Sequence, residues 1–261
     1  MAKPPGWAER YAATFELDSV VSRYELRPPY PAATGDLLVS LVDQAAPRVL
    51  DAGCGTGELA RALVGRGTEV DAIDRSAAMV ERGRALGGVD PRLHWIVGKI
   101  ETADLASAYG VIVCGDSIHW FDWDVVMPRF RDLLSPRGHL AVVQRRWLHD
   151  DELTRRLSAV YARHGANRDF RPLDPVEELE KRGHFERLGQ RTVPRDPWRP
   201  TMAELLGCHH SQQGFALDRM ADPAAFDHEV AAAELNVLEP DADGRLDLSV
   251  DATVVWGRVP S

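Results

Sequence analysis

The chain has 261 residues, 44% of them hydrophobic, and a formal net charge of −9. This length and composition predict one large globular domain, or a domain with a sizeable insertion, around a buried core. The negative charge repels phosphate backbones and anionic lipid headgroups, so it disfavours a nucleic-acid-binding or membrane-surface protein. The basic pair Arg145–Arg146 is interpreted as a solvated strand end rather than as part of a basic patch.

The cysteines and the N-terminus bear on compartment and on metal binding. Cys54, Cys114 and Cys208 are unevenly spaced, so we expect reduced thiols. No CxxC or HxxxH pair favours a metal site, and we expect none. The N-terminus lacks the apolar segment of a secretory signal, and no stretch approaches the roughly 18 apolar residues of a membrane span. We therefore expect a cytoplasmic monomer or homodimer with no nucleic-acid or membrane partner.

Residues 1–46 precede the first predicted core strand, and we expect them to form an N-terminal helical cap. Trp7, Tyr11 and Phe15 recur at helical spacing, which predicts a helix that packs an aromatic stripe on the body. The alternative is a lid over an active site, with Tyr11 or Tyr24 in the pocket as a catalytic residue. A second helix is predicted from Leu37 to Val42 before the core begins.

The most informative stretch is a strand, a glycine turn and the start of a helix, at the beginning of a predicted core of residues 47–193. Glycines at 53, 55 and 57 allow positive φ angles and let a ligand approach the backbone closely. The helix N-terminus that follows presents free N–H groups to an anionic ligand group. The glycine spacing differs from the dinucleotide fingerprint, which argues against a nicotinamide-dependent dehydrogenase.

The rest of the chain alternates strand and helix, which predicts an α/β fold with a doubly wound, mostly parallel seven-stranded sheet. Ser135–Gly138 is predicted to be a turn. Residues 194–245 are predicted to form an inserted helical substrate or lid subdomain with helices at 201–207 and 223–235. Residues 246–261 supply the final core strand, whose alternating pattern predicts one exposed face. The later strands are predicted at Thr68–Asp74, Arg92–Gly98, Tyr109–Asp116, Gly138–Gln144, Phe185–Val193 and Leu246–Trp256, with further helices at Ser76–Leu86, Asp124–Leu134, 150–164 and 174–182.

The pattern D-x-G-x-G-x-G over Asp51–Gly57 resembles the first motif of the class I S-adenosylmethionine-dependent methyltransferases. The segment His119-Trp120-Phe121 after the fourth strand is similar to small-molecule enzymes of the ubiquinone-biosynthesis and trans-aconitate types. The resemblance implies a Rossmann-like fold, S-adenosyl-L-methionine as cofactor, and methyl transfer to an O, N or C nucleophile of a small metabolite, secondary metabolites included. Alternatives are non-methylating chemistry on the bound cofactor, such as cyclisation, and a non-catalytic binding protein.

The same resemblance implies a set of cofactor contacts. Asp74 ends the second strand, where a carboxylate can accept hydrogen bonds from ribose hydroxyls, although it can also cap the next helix. Met79 lies either under adenine or in the core. Lys99 stands where relatives carry an acid for the adenine amine, so adenine recognition falls to backbone groups, to Glu101 or to a different placement of the base. The implied contacts are Asp51, Gly53, Cys54, Gly55, Gly57, Asp74, Arg75, Met79, Ile100, Glu101, Cys114, Gly115 and His119.

Catalytic and acceptor-binding roles remain open at the level of sequence. His119 is a candidate general base, a wall residue that orients the acceptor, or a structural residue. Trp120 and Trp198 are candidate acceptor contacts. His209 and His210 are further candidates, but neighbours in a helix or strand point apart, so at most one of them enters a pocket. The alternative for both is a solvated loop.

Overall fold

Seven strands form one sheet in the computed structural model, which describes residues 4–87, 89–106 and 108–260. Their order is β3-β2-β1-β4-β5-β7-β6, and β7 runs antiparallel to both of its neighbours. The predicted doubly wound, mostly parallel seven-stranded sheet is thereby confirmed. The strands are β1 (Arg48–Ala52), β2 (Glu69–Asp74), β3 (Leu93–Val97), β4 (Tyr109–Gly115), β5 (Leu134–Arg146), β6 (Glu186–Trp198) and β7 (Leu248–Arg258).

Helices flank this sheet, and three helices from the C-terminal half of the chain form a further layer. Within the described residues they are α1 (Glu9–Ala12), α2 (Asp18–Val21), α3 (Ala32–Ser40), α4 (Glu58–Val64), α5 (Ala77–Gly87), α6 (Trp123–Leu133), α7 (Asp151–His164), α8 (Pro175–Lys181), α9 (Met202–His210) and α10 (Pro223–Leu235). None of these helices is long and apolar enough to cross a membrane.

Two apolar clusters cover the two faces of the sheet. Along β4, Ile112 faces one cluster while its neighbours Val111 and Val113 face the other, because successive side chains of a strand point to opposite sides. In β7, Val254 and Val255 likewise belong to opposite clusters, and both are buried. The prediction of an exposed face on the last strand is therefore wrong: β7 lies between β5 and β6, and its side chains join the apolar clusters on both faces of the sheet.

The predicted turn at Ser135–Gly138 is also wrong, because these residues lie within β5. Tyr109 pairs with Leu134 and Val111 pairs with His139, so β5 carries extra residues in a bulge at this point. The Ser135 hydroxyl donates to the Asp43 carboxylate at 2.9 Å and ties the bulge to the segment after α3. A bulge can carry Pro and Gly without ending the strand.

The cap is a succession of short helical turns rather than the single aromatic-striped helix that the spacing predicts. Ala8 and Leu17 have extended backbones, with ψ of 153° and 134°, and interrupt it. As a result Trp7 packs into the core against α6, while Phe15 packs beside Val20 and Val21. At the other end of the core, β6 continues past the predicted limit of Val193 to Trp198, across a register shift.

Helices α7, α9 and α10 form the layer beyond the sheet. Its apolar interior contains Leu157 of α7, Val230 and Phe226 of α10, and Phe215 from the segment between α9 and α10. Phe215 stacks on Phe226 with a ring separation of 5.0 Å. Helices predicted at 150–164, 201–207 and 223–235 are confirmed within a few residues.

Candidate functional site

The glycine turn lies between β1 and α4, at the carboxyl ends of the parallel strands. Gly53 and Gly55 both have positive φ, and both line the largest of the three cavities described below. A Cβ on Gly53 would lie 2.7 Å from the Ser117 Cβ, and one on Gly55 would lie 2.9 Å from the Tyr24 ring. The turn therefore has no room for larger side chains.

Asp74, at the end of β2, is joined to this turn. One carboxylate oxygen accepts the backbone N–H of Gly55 at 2.8 Å, and the other accepts that of Ser76 at 2.8 Å. Burial raises the pKa of Asp74 against the opposing effect of these two bonds. A carboxylate oxygen has two lone pairs, so each can still accept another hydrogen bond. Asp74 also lines the largest cavity, so that capacity is available to a ligand.

Asp51 and Cys54 lie beneath the turn and line a small cavity of about 20 Å³. The Asp51 side chain is almost fully buried, and burial raises the pKa of its carboxyl to about 7. Its Oδ2 atom accepts no hydrogen bond within the described residues. Burial also raises the pKa of the Cys54 thiol well above its usual range. The unsatisfied oxygen of Asp51 is suited to a ligand donor or to an ordered water.

The largest cavity has a volume of about 460 Å³, within the usual range for small-molecule sites. Ile73, Met79 and Ile100 supply an apolar side, and Lys99 and Glu101 lie at a polar rim. Met79 is fully buried and also packs against Val20 and Val21, so it both lines the cavity and belongs to the core. Glu101 accepts the backbone N–H of Asp122 at 3.0 Å.

A second cavity, of about 250 Å³, lies beside the first. Five aromatic side chains line this aromatic cavity, Trp7, Phe15, Trp120, Trp147 and Phe170, together with charged and polar residues such as Arg145 and Gln213. Four residues line both cavities and form their shared boundary, which we define as Phe15, Arg27, Asp116 and Trp120. Two ligands bound side by side in the two cavities would meet at this boundary.

Comparisons with known proteins agree with this arrangement. A methyltransferase domain family matches residues 49–138, which include the glycine turn, Asp74 and His119. Over residues 49–138 the chain is similar to methyltransferase domains. An uncharacterized methyltransferase of Mycobacterium tuberculosis is 34% identical over 170 residues, 63% of this chain and 63% of that protein. A malonyl-[acyl-carrier protein] O-methyltransferase of Enterobacter lignolyticus is 39% identical over 97 residues, covering 36% of this chain and 37% of that protein.

The fold agrees as well. A solved structure from Anaeromyxobacter dehalogenans, named as a type II methyltransferase, superimposes with a TM-score of 0.62 at 23% identity. The superposition covers 90% of this chain and 99% of the other. The family and the Rossmann-like fold inferred from the D-x-G-x-G-x-G motif are thereby confirmed. The chain spans 63% of the length of the relative from M. tuberculosis.

The methyltransferase sequence motifs do not all lie on a cavity wall. Gly57 has a φ of 76° and packs against Trp95, whose ring atoms would come within 2.2 Å of an added Cβ. Cys114 is fully buried in the core, whereas Gly115 lines the largest cavity. Arg75 lines that cavity too and pairs with Glu9 at 2.5 Å and Glu16 at 2.8 Å.

His119 lies in a single turn of 3-10 helix after β4 and lines the aromatic cavity rather than the larger one. Its ring centroid is 4.5 Å from that of Trp120 and 5.7 Å from that of Trp7. A cofactor confined to the larger cavity would therefore contact Trp120, which lines both cavities, but not His119. This position suits an acceptor-facing role.

The two tyrosines of the cap differ in position. The Tyr24 ring covers Gly55 and lines the largest cavity, and burial raises the pKa of its hydroxyl. The Tyr11 hydroxyl donates to the Asp169 carboxylate at 2.9 Å, and Tyr11 lines neither large cavity. Only Tyr24 of the pair can therefore contact a ligand in this arrangement.

Three of the predicted acceptor contacts lie outside both large cavities. His210 is bonded through Nδ1 to the Phe215 carbonyl at 2.8 Å and through Nε2 to Asp227 at 2.7 Å. His209 is fully buried, with Nδ1 3.2 Å from the Tyr161 hydroxyl. Trp198 packs on Trp147 at a ring separation of 5.4 Å. Helix α9 extends to His210, so both histidines belong to the helical interior and neither is the solvated loop residue of the alternative.

Sequence reasoning missed several cavity residues, among them Arg27, Asp116, Arg145 and Trp147. Arg145 is not solvated as predicted: its side chain is 7% exposed and lies 3.1 Å from Glu58 and 3.5 Å from Asp116. The sequence feature that could have identified Arg145 as a cavity residue is its position at the carboxyl end of β5. Asp116 directly follows β4 and has a φ of 49°, a conformation that Asp tolerates better than most residues.

Among the described residues, no group of three or more His, Cys, Asp or Glu side chains could hold a metal ion. Cys54, Cys114 and Cys208 are all free thiols.

Proposed function

We propose that this protein transfers a methyl group from S-adenosyl-L-methionine to a small-molecule acceptor. The observation that carries the proposal is the shared boundary of Phe15, Arg27, Asp116 and Trp120 between a larger cavity over the glycine turn and an aromatic cavity beside it. Methyl transfer is an in-line displacement and needs two ligands in contact. The boundary supplies the place where they would meet.

The residues present fit this cofactor. Asp74 retains acceptor capacity for ribose hydroxyls, and the apolar side formed by Ile73, Met79 and Ile100 suits an adenine ring. The unsatisfied Oδ2 of Asp51 supports a nearby cationic or N–H donor group, such as the cofactor's ammonium. Close approach at Gly53 and Gly55 leaves backbone groups accessible to the ligand.

Arg27 is the proposed partner of the cofactor's carboxylate. Of the three cations that line the larger cavity, Arg75 and Lys99 pair with Glu9. Arg27 forms no ion pair with a carboxylate in the described part of the chain. Its Nε and Nη2 donate to the hydroxyl and carbonyl oxygens of Ser211 at 2.9 and 2.6 Å, and its guanidinium lies over the Tyr24 ring at 4.1 Å. This fixed orientation favours recognition of one anionic group.

The proposed acceptor occupies the aromatic cavity. Its walls favour a compact molecule with a planar or apolar body, because aromatic side chains offer large apolar faces. Gln212, Gln213 and His119 give the same cavity polar groups that can orient a hydroxyl, amine or carbonyl. The N-terminal cap and the helical segment around α9 supply much of this wall, so we propose that they form the acceptor lid.

Bound S-adenosyl-L-methionine would supply a methyl group activated by its sulfonium. The chain's own contribution is then mainly to align the acceptor and to keep water from the boundary. Alignment can be worth roughly 7–11 kcal/mol, whereas a positioned base contributes about 10²–10⁴-fold in rate. His119 can accept a proton from an acceptor in the aromatic cavity, but the larger share falls to the walls that hold both ligands.

Two measurements test the proposal. Titration calorimetry with S-adenosylhomocysteine and with a nicotinamide dinucleotide should show binding of the first ligand only. Incubation with S-adenosylmethionine and a panel of small phenols, amines and acids, followed by mass spectrometry, should show a product heavier by one methylene unit. A cyclised or otherwise altered product without that gain would favour non-methylating chemistry. Absence of S-adenosylhomocysteine binding would overturn the proposal.

A further inference from the structure

Lys99 leaves one part of the proposed cofactor without an obvious partner. An adenine beside the ribose site at Asp74 presents an exocyclic amine, which needs a hydrogen-bond acceptor. A lysine ammonium has donors only, so Lys99 cannot accept from that amine. Two carboxylates line the cavity near Lys99. Glu9 contacts Lys99 directly, and Glu101 follows it by two residues in the chain.

Glu9 lies at the start of α1, in the N-terminal cap, and reaches across the cavity rim. Its Oε1 atom accepts from Arg75 Nη1 at 2.5 Å and from Lys99 Nζ at 3.1 Å. Partial burial acts to raise the pKa of the Glu9 carboxyl, but the hydrogen bonds and charges of Arg75 and Lys99 together lower it below its usual value. The carboxylate is therefore charged at neutral pH and fixed beside Lys99.

The second oxygen of Glu9 remains open to a ligand. Among the hydrogen bonds of residues 4–87, 89–106 and 108–260, none involves Glu9 Oε2. Glu101 also has one bonded oxygen, Oε1, which accepts the backbone N–H of Asp122 in the segment that follows the 3-10 turn of His119. What distinguishes Glu9 is that Arg75 and Lys99 both donate to it and hold its carboxylate beside Lys99. Glu9 is thus oriented by two cations through one oxygen and has the other available.

We propose that Glu9 is the specificity residue for the adenine amine, supplied by the cap and oriented by Lys99 and Arg75. This inference rests on the proposed function, since it assumes that the larger cavity takes S-adenosylmethionine. It also gives Lys99 a role: a lysine after β3 orients a carboxylate from the cap instead of contacting the base. Because the same cap supplies Trp7 and Phe15 to the aromatic cavity, adenine binding would hold the acceptor wall in place.

The test compares two ligands that differ at the position Glu9 would read. S-adenosylhomocysteine carries the exocyclic amine, and S-inosylhomocysteine carries a carbonyl oxygen there instead. Titration calorimetry gives Kd for both ligands with the wild type and with Glu9→Gln, Glu16→Gln and Glu101→Gln. Glu16 is the matched control, because it pairs with Arg75 at 2.8 Å from the same cap but does not line the larger cavity.

We expect the wild type to prefer the adenosyl ligand and Glu9→Gln to reduce that preference about tenfold, because the amide can donate to the inosyl carbonyl. Glu16→Gln should keep the wild-type ratio. An unchanged ratio in Glu9→Gln, or a reduced ratio in Glu101→Gln alone, would overturn the assignment to Glu9. A wild type that binds neither ligand would instead overturn the proposed function. Glu9 is 60% exposed, so the substitution leaves the core intact.

Discussion

The Asp74 carboxylate accepts the backbone N–H of Gly55 at 2.8 Å and thereby joins the end of β2 to the glycine turn. We expect Asp74→Ala to weaken binding of S-adenosylhomocysteine about 10–100-fold, because it removes a charged acceptor for the ribose and a support of the turn. Calorimetry measures this change.

Asp71→Asn is the matched control on the same strand. Asp71 is buried between Arg48 at 2.8 Å and the Tyr109 hydroxyl at 2.5 Å, outside the cavities. This variant should lose stability and keep its affinity for S-adenosylhomocysteine. Equal affinities for the wild type and Asp74→Ala would contradict the ribose assignment.

The buried Asp51 carboxyl makes folding stability depend on pH. Its pKa is about 7 in the folded protein and about 3.9 in an unfolded chain, so between these values the folded state keeps a proton that the unfolded chain has released. The stabilising contribution is therefore present at low pH and is lost as pH rises through about 7. The free energy of unfolding of Asp51→Asn, relative to that of the wild type, should therefore rise from pH 5 to pH 8 by on the order of 2 kcal/mol.

Urea unfolding at both pH values, monitored by tryptophan fluorescence, measures the Asp51 effect. The control is Asp247→Asn, because the Asp247 carboxylate is largely exposed and its loss should leave the pH dependence unchanged. Parallel stability curves for the wild type and Asp51→Asn from pH 5 to pH 8 would show that the carboxyl does not titrate in this window.

The positions of His119 and Trp120 predict different effects of their substitution on ligand binding and on turnover. His119 lines only the aromatic cavity, whereas Trp120 lines both cavities. His119→Ala should therefore keep the affinity for S-adenosylhomocysteine and lower kcat/KM for an acceptor found by the mass screen at least about tenfold. If His119 is the base, the loss reaches about 10²–10⁴-fold in kcat, and the pH profile flattens. Trp120→Ala should weaken both binding and turnover. Unchanged turnover in His119→Ala at every pH would exclude both the base and the wall roles.

His210 is expected to matter for stability and not for the site. Its two ring nitrogens bond the Phe215 carbonyl and Asp227 inside the helical layer. His210→Ala should lower the free energy of unfolding by about 1–3 kcal/mol, because the buried carbonyl loses its partner. His228→Ala, on the exposed side of α10, should change it by less than about 0.5 kcal/mol. If His210→Ala had normal stability but a strongly reduced affinity for S-adenosylhomocysteine, His210 would have to be assigned to the ligand site instead.

The strand ends can be predicted from sequence because each buried run of β1, β2 and β4 is followed by Gly or Asp. Those residues also mark the carboxyl edge of a parallel sheet, so the order of strands and turns along the chain is enough to place Asp74 and Gly115 at a common crevice. Periodicity cannot show that β5 continues through a bulge at Ser135–Gly138, since Pro and Gly give the same signal in a bulge and in a turn.

The residues of the aromatic cavity and of the helical layer are harder to predict, because packing between distant parts of the chain decides their positions. His209 and His210 look like polar loop residues in sequence, yet α9 extends over both and turns them into the helical layer. Arg145 looks like a solvated charge, yet Glu58 and Asp116 from two other elements compensate it in a buried position. Sequence spacing cannot indicate such partners, because they lie far apart along the chain.

Gly57 tests whether the third glycine of the motif serves packing or the ligand. Gly57 has a φ of 76°, and an added Cβ would lie 2.2 Å from the Trp95 ring. Gly183 has a φ of 72° with no atom within 4 Å of an added Cβ, so Gly183→Ala isolates the backbone cost, about 1–2 kcal/mol. Gly57→Ala should cost about 1–3 kcal/mol more in urea unfolding, because the overlap with Trp95 is added.

The double variant Gly57→Ala/Trp95→Leu separates the two causes. If the ring overlap is responsible, the smaller side chain at Trp95 should make the additional cost of Gly57→Ala largely disappear in a double-mutant cycle. A cost that persists would mean that the start of α4 needs glycine for its backbone alone. A Gly57→Ala protein as stable as Gly183→Ala, but with weakened binding of S-adenosylhomocysteine, would instead place Gly57 at the ligand, as the motif resemblance implies.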